Sequence, residues 1–401
     1  MNRSLAFLSA ILSLVFVASA SAFHQVTPTF VEITPTSGAG IVENQHWAGI
    51  RFVIFDSDAD VAHVGSTGRQ IFLFDLLDRD LNGSPGITQL TSGPGGHRHG
   101  STGKLANLIV YDTQLVPGGP RQLVLLDRKT ALRYPLTNGG ADSSNPRMDN
   151  SSRMVVFESS ADFFATGPAG SQIYRIDLRK FIHGCPFPCA TTGNEGLVQI
   201  TSSAGTSRNA VPSSGGKIVA FESDGDLLGL GEVASQVYTY DVKRTVLTLL
   251  GRGPGTSGKP SISLNGGWVA FESDTDLMGN GSVGTNVYAR KRNHSFPLQV
   301  SVAQGGHSSG ASLSSNGHAV TFVSSADLAG TGSDGPEVFS YDLRRQELQQ
   351  ITDSPNTVNT AAYSGGVFVS FLSNGDPLGT GTNDFGLYLV NLFTLGSATV
   401  P

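Results

Sequence analysis

Short apolar runs recur along this chain, separated by segments rich in Gly, Ser and Asp. Trp268-Val-Ala-Phe-Glu272, Asn286-Val-Tyr-Ala289 and Leu298-Gln-Val-Ser-Val302 form one such set, preceded by the small stretch Pro260-Ser-Ile-Ser263. The runs are β-branched and aromatic, too short for helices, and bounded by turn residues such as Asn265-Gly266-Gly267. That pattern predicts four short antiparallel strands in about 50 residues, joined by turns. Further second strands are expected at Lys217–Phe221, His318–Phe322 and Val367–Phe371, and further third strands at Gln236–Asp241 and Glu337–Asp342.

The period is strict. Phe-x-Ser-x-x-Asp begins at Phe55, Phe157, Phe221, Phe271, Phe322 and Phe371, each time with Gly ten residues after the Phe and an aromatic ring seventeen after it. A degenerate copy, Leu108-Ile-Val-Tyr-Asp112 followed by Gln122-Leu-Val-Leu-Leu-Asp127, fills the gap between the first two. A repeat of this length means one supersecondary unit stacked into an array with a shared core. The expected fold is all-β: a seven-bladed β-propeller of four-stranded antiparallel blades. Its blade cores are expected near 50–90, 105–137, 150–201, 216–250, 260–302, 311–352 and 361–392 within a single domain over 23–395. The last repeat lacks a fourth strand, and an orphan one, Phe30-Val-Glu-Ile-Thr34, stands at the start, so the N-terminal strand is expected to close the ring.

The repeat resembles that of the TolB-like propellers, whose units are also described as WD-repeat-like. Ser263-Leu-Asn-Gly-Gly-Trp-Val-Ala-Phe-Glu-Ser273 carries the resemblance most clearly, with Val237-Tyr-Thr-Tyr-Asp241 as the following strand. It covers nearly the whole chain after residue 22. It departs from the family where the Pro-Asp-Gly turn is replaced by Ser-Asn-Gly, Leu-Asn-Gly or Ser-Gly-Gly, and in lacking the N-terminal α/β domain of TolB itself. The resemblance implies a propeller architecture and a binding role, with no particular ligand. The hydrolase domain that is fused to prolyl-oligopeptidase propellers has no counterpart among these repeats, so a serine-hydrolase centre of that type is not expected.

Residues 1–22 read as a secretory signal peptide: Arg3, an apolar run from Leu5 to Val17, then Ala20-Ser-Ala22. The expected location is the periplasm or outside the cell, with no membrane span and as a monomer. A formal net charge of −6 and a pI near 5.8 argue against a nucleic-acid partner. In an exported chain Cys185 and Cys189 are expected to form a disulfide, the alternative being a metal site with His183.

Candidate chemistry gathers in the loops. Asp56, Asp58 and Asp60 stand at alternate positions, and Asp224/Asp226 and Asp274/Asp276 repeat part of that spacing, which suits a hard cation such as calcium. The competing reading makes the repeated Asp a turn residue and the repeated Ser a backbone anchor. His97, His99 and His307 lie in what read as the lead-in loops of two blades and are candidates for ligand binding near the channel. The turns after the third strands are basic, at Arg128-Lys129, Arg179-Lys180, Lys243-Arg244, Arg290-Lys-Arg292 and Arg344-Arg345, giving one acidic face and one basic rim. No catalytic residue is assigned. The expected function is a non-catalytic module binding an envelope or extracellular protein or a glycan. The alternative is a carbohydrate-active or metal-dependent enzyme at the channel mouth.

Overall fold

The computed structural model describes residues 30–34, 41–65, 67–78, 86–167, 170–183, 196–303, 305–332, 335–353, 362–364, 368–373 and 386–391. Its strands pair into seven four-stranded antiparallel sheets. The inner strand of each is Val42–Ala48, Arg98–Thr102, Ser143–Met148, Ser207–Pro212, Ser257–Ile262, Ser308–Leu313 and Ala362–Ser364, numbered here as blades one to seven. Each inner strand neighbours the next around a circuit that returns from Ala362–Ser364 to Val42–Ala48, so these strands line the central channel.

The expectation of a seven-bladed ring needs one correction. Six blades, not seven, are continuous segments of chain; the remaining four-stranded sheet is composite. In it Phe30–Glu32 pairs antiparallel with Gly386–Asn391, with Val31 opposite Leu389, so the two ends of the described chain share one sheet. Ile33 continues that segment into the core beside Val42, Val53, Phe55, Leu387 and Leu389. The physical reason is the open edge of the third strand of blade seven, whose N–H and C=O groups need a partner.

The second and third strands carry the core. Their buried residues form clusters between successive blades, for example Val110, Leu123 and Leu125 of blade two against Val155 and Phe157 of blade three. The recurrent Phe and the aromatic seventeen residues later are cross-strand partners: Phe221 stands opposite Tyr238, with ring centroids 5.8 Å apart, and Phe271 opposite Tyr288 at 6.0 Å. Stacked rings on paired strands account for the period.

The inner strands begin earlier than the apolar pattern suggests, because sequences such as Ser207-Arg-Asn-Ala-Val-Pro212 face the channel and show little apolar alternation. Six of them slip register at the same place, between Glu43 and His46, Arg98 and Ser101, Ser144 and Arg147, Arg208 and Val211, Gly258 and Ser261, and Ser309 and Ser312. The residue in each slip is left-handed: Asn44, His99, Asn145, Asn209, Lys259 and Gly310, with φ between 47° and 68°. Gly, Asn and His are the residues that favour that conformation, whereas Lys259 is strained there. A short helix, Leu178–His183, leaves the third strand of blade three. Cys185 and Cys189 lie outside the described residues. Among the described residues no helix is long and apolar enough to cross a membrane.

Candidate functional site

In five of the six bulged inner strands the left-handed residue turns a main-chain N–H out of its own ladder. A carboxylate on the preceding blade receives it. His99 N–H donates to Asp56 at 3.3 Å, and Asn145 N–H to Asp112 at 3.2 Å. Asn209 N–H donates to Glu158 at 2.7 Å, Lys259 N–H to Glu222 at 2.5 Å and Gly310 N–H to Glu272 at 2.6 Å. All five carboxylates occupy one position, the residue between the repeated aromatic and the repeated Ser or Thr of the second strand. In blades six and seven that position holds Val323 and Leu372. This position therefore forms a charged arc over five blades, and on the other two it is filled by side chains buried in core clusters.

Cations and amides complete the arc. Arg69 reaches Asp56 at 3.0 Å and also pairs with Glu43. His99 Nδ1 lies 2.5 Å from Asp112, which Arg121 also engages. Arg208 donates to Glu222 at 2.6 Å, and Lys259 Nζ sits 3.1 Å from Glu272. Glu158 receives the Asn145 side-chain amide at 2.7 Å. The approach is close enough that a Cβ on Gly258 would fall 2.5 Å from a Glu222 oxygen. Burial pushes the carboxyls of Asp56, Glu158 and Glu272 up from their ordinary values, against the pull of these donors.

The acidic residues anticipated from sequence divide into three kinds. Asp56 is not in a loop: it is fully buried in the second strand of blade one, opposite Glu43 and Ile71, and belongs to the arc. Asp58, Asp224 and Asp274 each accept one lead-in N–H at 2.6 Å, from Ile41, Thr206 and Thr256. Asp60, Asp226 and Asp276 accept the N–H groups four and five residues on, as Asp226 does from Leu230 at 2.8 Å and Gly231 at 2.7 Å. The three carboxylates of Asp56-Ser-Asp-Ala-Asp60 thus serve three different backbone segments. Among the described residues no set of three or more His, Cys, Asp or Glu side chains is arranged to hold a metal ion.

The histidines are not brought together. His97 is buried edge-on to Tyr111, with Nε2 3.3 Å from the Ser92 carbonyl oxygen, and burial lowers its pKa. His99 corrects its sequence placement: it stands inside the inner strand of blade two, at the bulge, rather than in the loop before it. His307 is exposed on blade six, its Nδ1 accepting from Thr285 N–H at 3.3 Å. The residues missed by sequence reading are Asp112, Glu158, Glu222 and Glu272. Their signal was present as the acid preceding Ser or Thr in five copies of the repeat.

No protein-family model and no curated protein sequence matches this chain. Solved structures similar to it are propellers. An oligogalacturonate lyase in complex with manganese aligns with a TM-score of 0.53 at 14% identity, covering 92% of this chain and 97% of its own. The β-propeller domain of the Trilobed protease from Pyrococcus furiosus, which has an open velcro topology, aligns with a TM-score of 0.58 at 8% identity, covering 89% and 94%. TolB from Agrobacterium tumefaciens gives 0.44 at 14% identity, covering 76% and 93%. At these identities what the chain shares with the first two is the fold, an all-β propeller of four-stranded blades.

Proposed function

We propose that this chain is an exported, monomeric, non-catalytic propeller that binds a partner protein through the face carrying the loops between second and third strands. One observation carries the reading. That face exposes apolar side chains on five blades, among them Val64, Phe164, Leu228, Val233, Met278 and Val283. Phe164, Leu228 and Met278 occupy one repeat position, two residues after the looping Asp, in three consecutive blades. The residue before each, Phe163, Leu227 or Leu277, packs against a core cluster, so the exposed one is held outward by a fixed loop. Apolar groups gathered on one face mark an interaction surface. The carboxylates at the loop bases favour a partner that sets cations around an apolar centre.

The enzyme alternative draws only on fold likeness to the lyase, and the arc carboxylates are each engaged by a backbone N–H rather than left open to a substrate. Export rests on the N-terminal segment, and sequencing of the mature protein should begin at Phe23. The Cys185–Cys189 bridge belongs to the same reading, and unreduced, unfolded protein should offer no thiol to a label. The deciding experiment is affinity capture from the native envelope fraction with wild type and with Phe164→Ser/Leu228→Ser/Met278→Ser. The variant alters exposed positions, so it should fold as wild type does and lose the captured partner. Identical capture by both would reject this face.

A further inference from the structure

Two residues deeper along the inner strands, past the bulges, the channel changes character. The side chains there are His46, Ser101, Arg147, Val211, Ser261 and Ser312, and no acid occurs in the stretch 354–372 that includes the inner strand of blade seven. Arg147 of blade three donates to His46 Nδ1 of blade one at 3.2 Å, a contact that skips blade two and therefore crosses the channel. His46 Nε2 lies 3.3 Å from Ser101 Oγ, which also accepts Met148 N–H at 2.9 Å.

A guanidinium only donates, so His46 Nδ1 accepts from Arg147. Burial, and then the charge of Arg147, hold the His46 pKa well below its usual value, so the imidazole is neutral and Arg147 is the charge at this level. Arg69, Arg121, Arg208 and Lys259 each have a carboxylate, whereas Arg98, exposed at the start of the inner strand of blade two, has none among the described residues. Among the described residues Arg147 has none.

We propose that the channel binds an oxyanion, a carboxylate or a phosphate group, on the Arg147 guanidinium. The guanidinium presents a planar fork of N–H donors that matches either group, in a partly desolvated setting where such bonds are strong. His46 holds one nitrogen of the guanidinium and leaves its other N–H donors for the ligand. This inference concerns the channel and is independent of the partner surface proposed above.

The test is calorimetric titration of the full chain with inorganic phosphate and, separately, with malonate, at constant ionic strength in chloride. Saturable heat with one or both is expected, and the two arms show which oxyanion class is preferred. Arg147→Gln should weaken binding by about tenfold or more, and Arg147→Lys, which keeps the charge without the fork, by less. Circular dichroism of both variants establishes that they fold. Absence of saturable heat with either anion overturns the proposal. So does equal binding by folded Arg147→Gln, and so does a variant that loses thermal stability while wild type binds nothing, which makes Arg147 a strut.

Discussion

Asp226 accepts two successive loop N–H groups, and Asp60, Asp162, Asp276 and Asp327 make the same pair of contacts. The second donor is always the repeated Gly, at φ from 69° to 80°. Nothing lies within 4 Å of a Cβ placed on Gly231, so backbone angle alone requires glycine there. Gly231→Ala should therefore cost about 1 kcal/mol in denaturant unfolding, and Gly231→Asn less, because Asn tolerates the left-handed region. Equal losses for the two would contradict this account. The repeated Ser was legible for a similar reason: Ser223 Oγ accepts Gly225 N–H at 3.1 Å and Ser273 Oγ accepts Thr275 N–H at 3.1 Å, local contacts that sequence spacing encodes. The same contacts make a calcium prediction. With each loop carboxylate already facing backbone donors, millimolar calcium should leave the melting temperature unchanged against a chelator control. A rise abolished by Asp58→Asn or Asp274→Asn would restore the cation reading.

Among the elements, the inner strand was the least legible and the second strand the most. The second strand announces itself by apolar residues that are buried on both faces, as Val219, Ala220 and Phe221 are. The inner strand owes its place to a bulge and to a carboxylate on another blade, and neither is a local property of Arg98-His-Gly-Ser-Thr102. That is why His99 reads as a loop residue and Asp56 as a loop acid until the blades are assembled. The carboxylate contact is testable. Glu272→Ala leaves the Gly310 N–H without its acceptor and removes the partner of Lys259, which should cost about 1–3 kcal/mol. Glu272→Gln keeps an oxygen for that N–H and should cost less. If both variants unfold like wild type, the arc contributes nothing to cohesion between blades. Closure is a second property of elements. Removing residues 23–35 exposes the edge of Gly386–Asn391 and withdraws Ile33, fully buried, for about 1.5–3 kcal/mol from that side chain alone. An unchanged melting temperature on truncation would show that the strand does not hold the ring.

For the whole molecule, buried ionisable groups set stability against pH in two opposed directions. Glu158 has a raised folded pKa, through burial, from an ordinary value of 4.5. The fold therefore prefers its protonated form. That contribution is full below 4.5 and is lost as pH rises through the folded value. His46 is the reverse: its folded pKa lies well below 6.5, through burial and then Arg147, so the fold prefers the neutral ring. Its contribution is full above 6.5 and is lost as pH falls toward the folded value. Exposed Asp162 and Asp226, lowered by their backbone N–H bonds, act only near and below 3.8. Composition gave the number of these groups, but the sign of each depends on which blade interface or channel wall encloses it, and that depends on the closed ring. The prediction is a pair of opposite slopes. Measured by urea unfolding from pH 4.5 to 8, Glu158→Gln should gain stability relative to wild type as pH rises. Over the lower part of the same range His46→Gln should lose it. Each slope is bounded at about 1.4 kcal/mol per pH unit while the group titrates. Comparing each variant with wild type removes the background common to both. Two slopes of the same sign, or two flat differences, would mean that the channel wall admits enough water to leave both groups near their ordinary values.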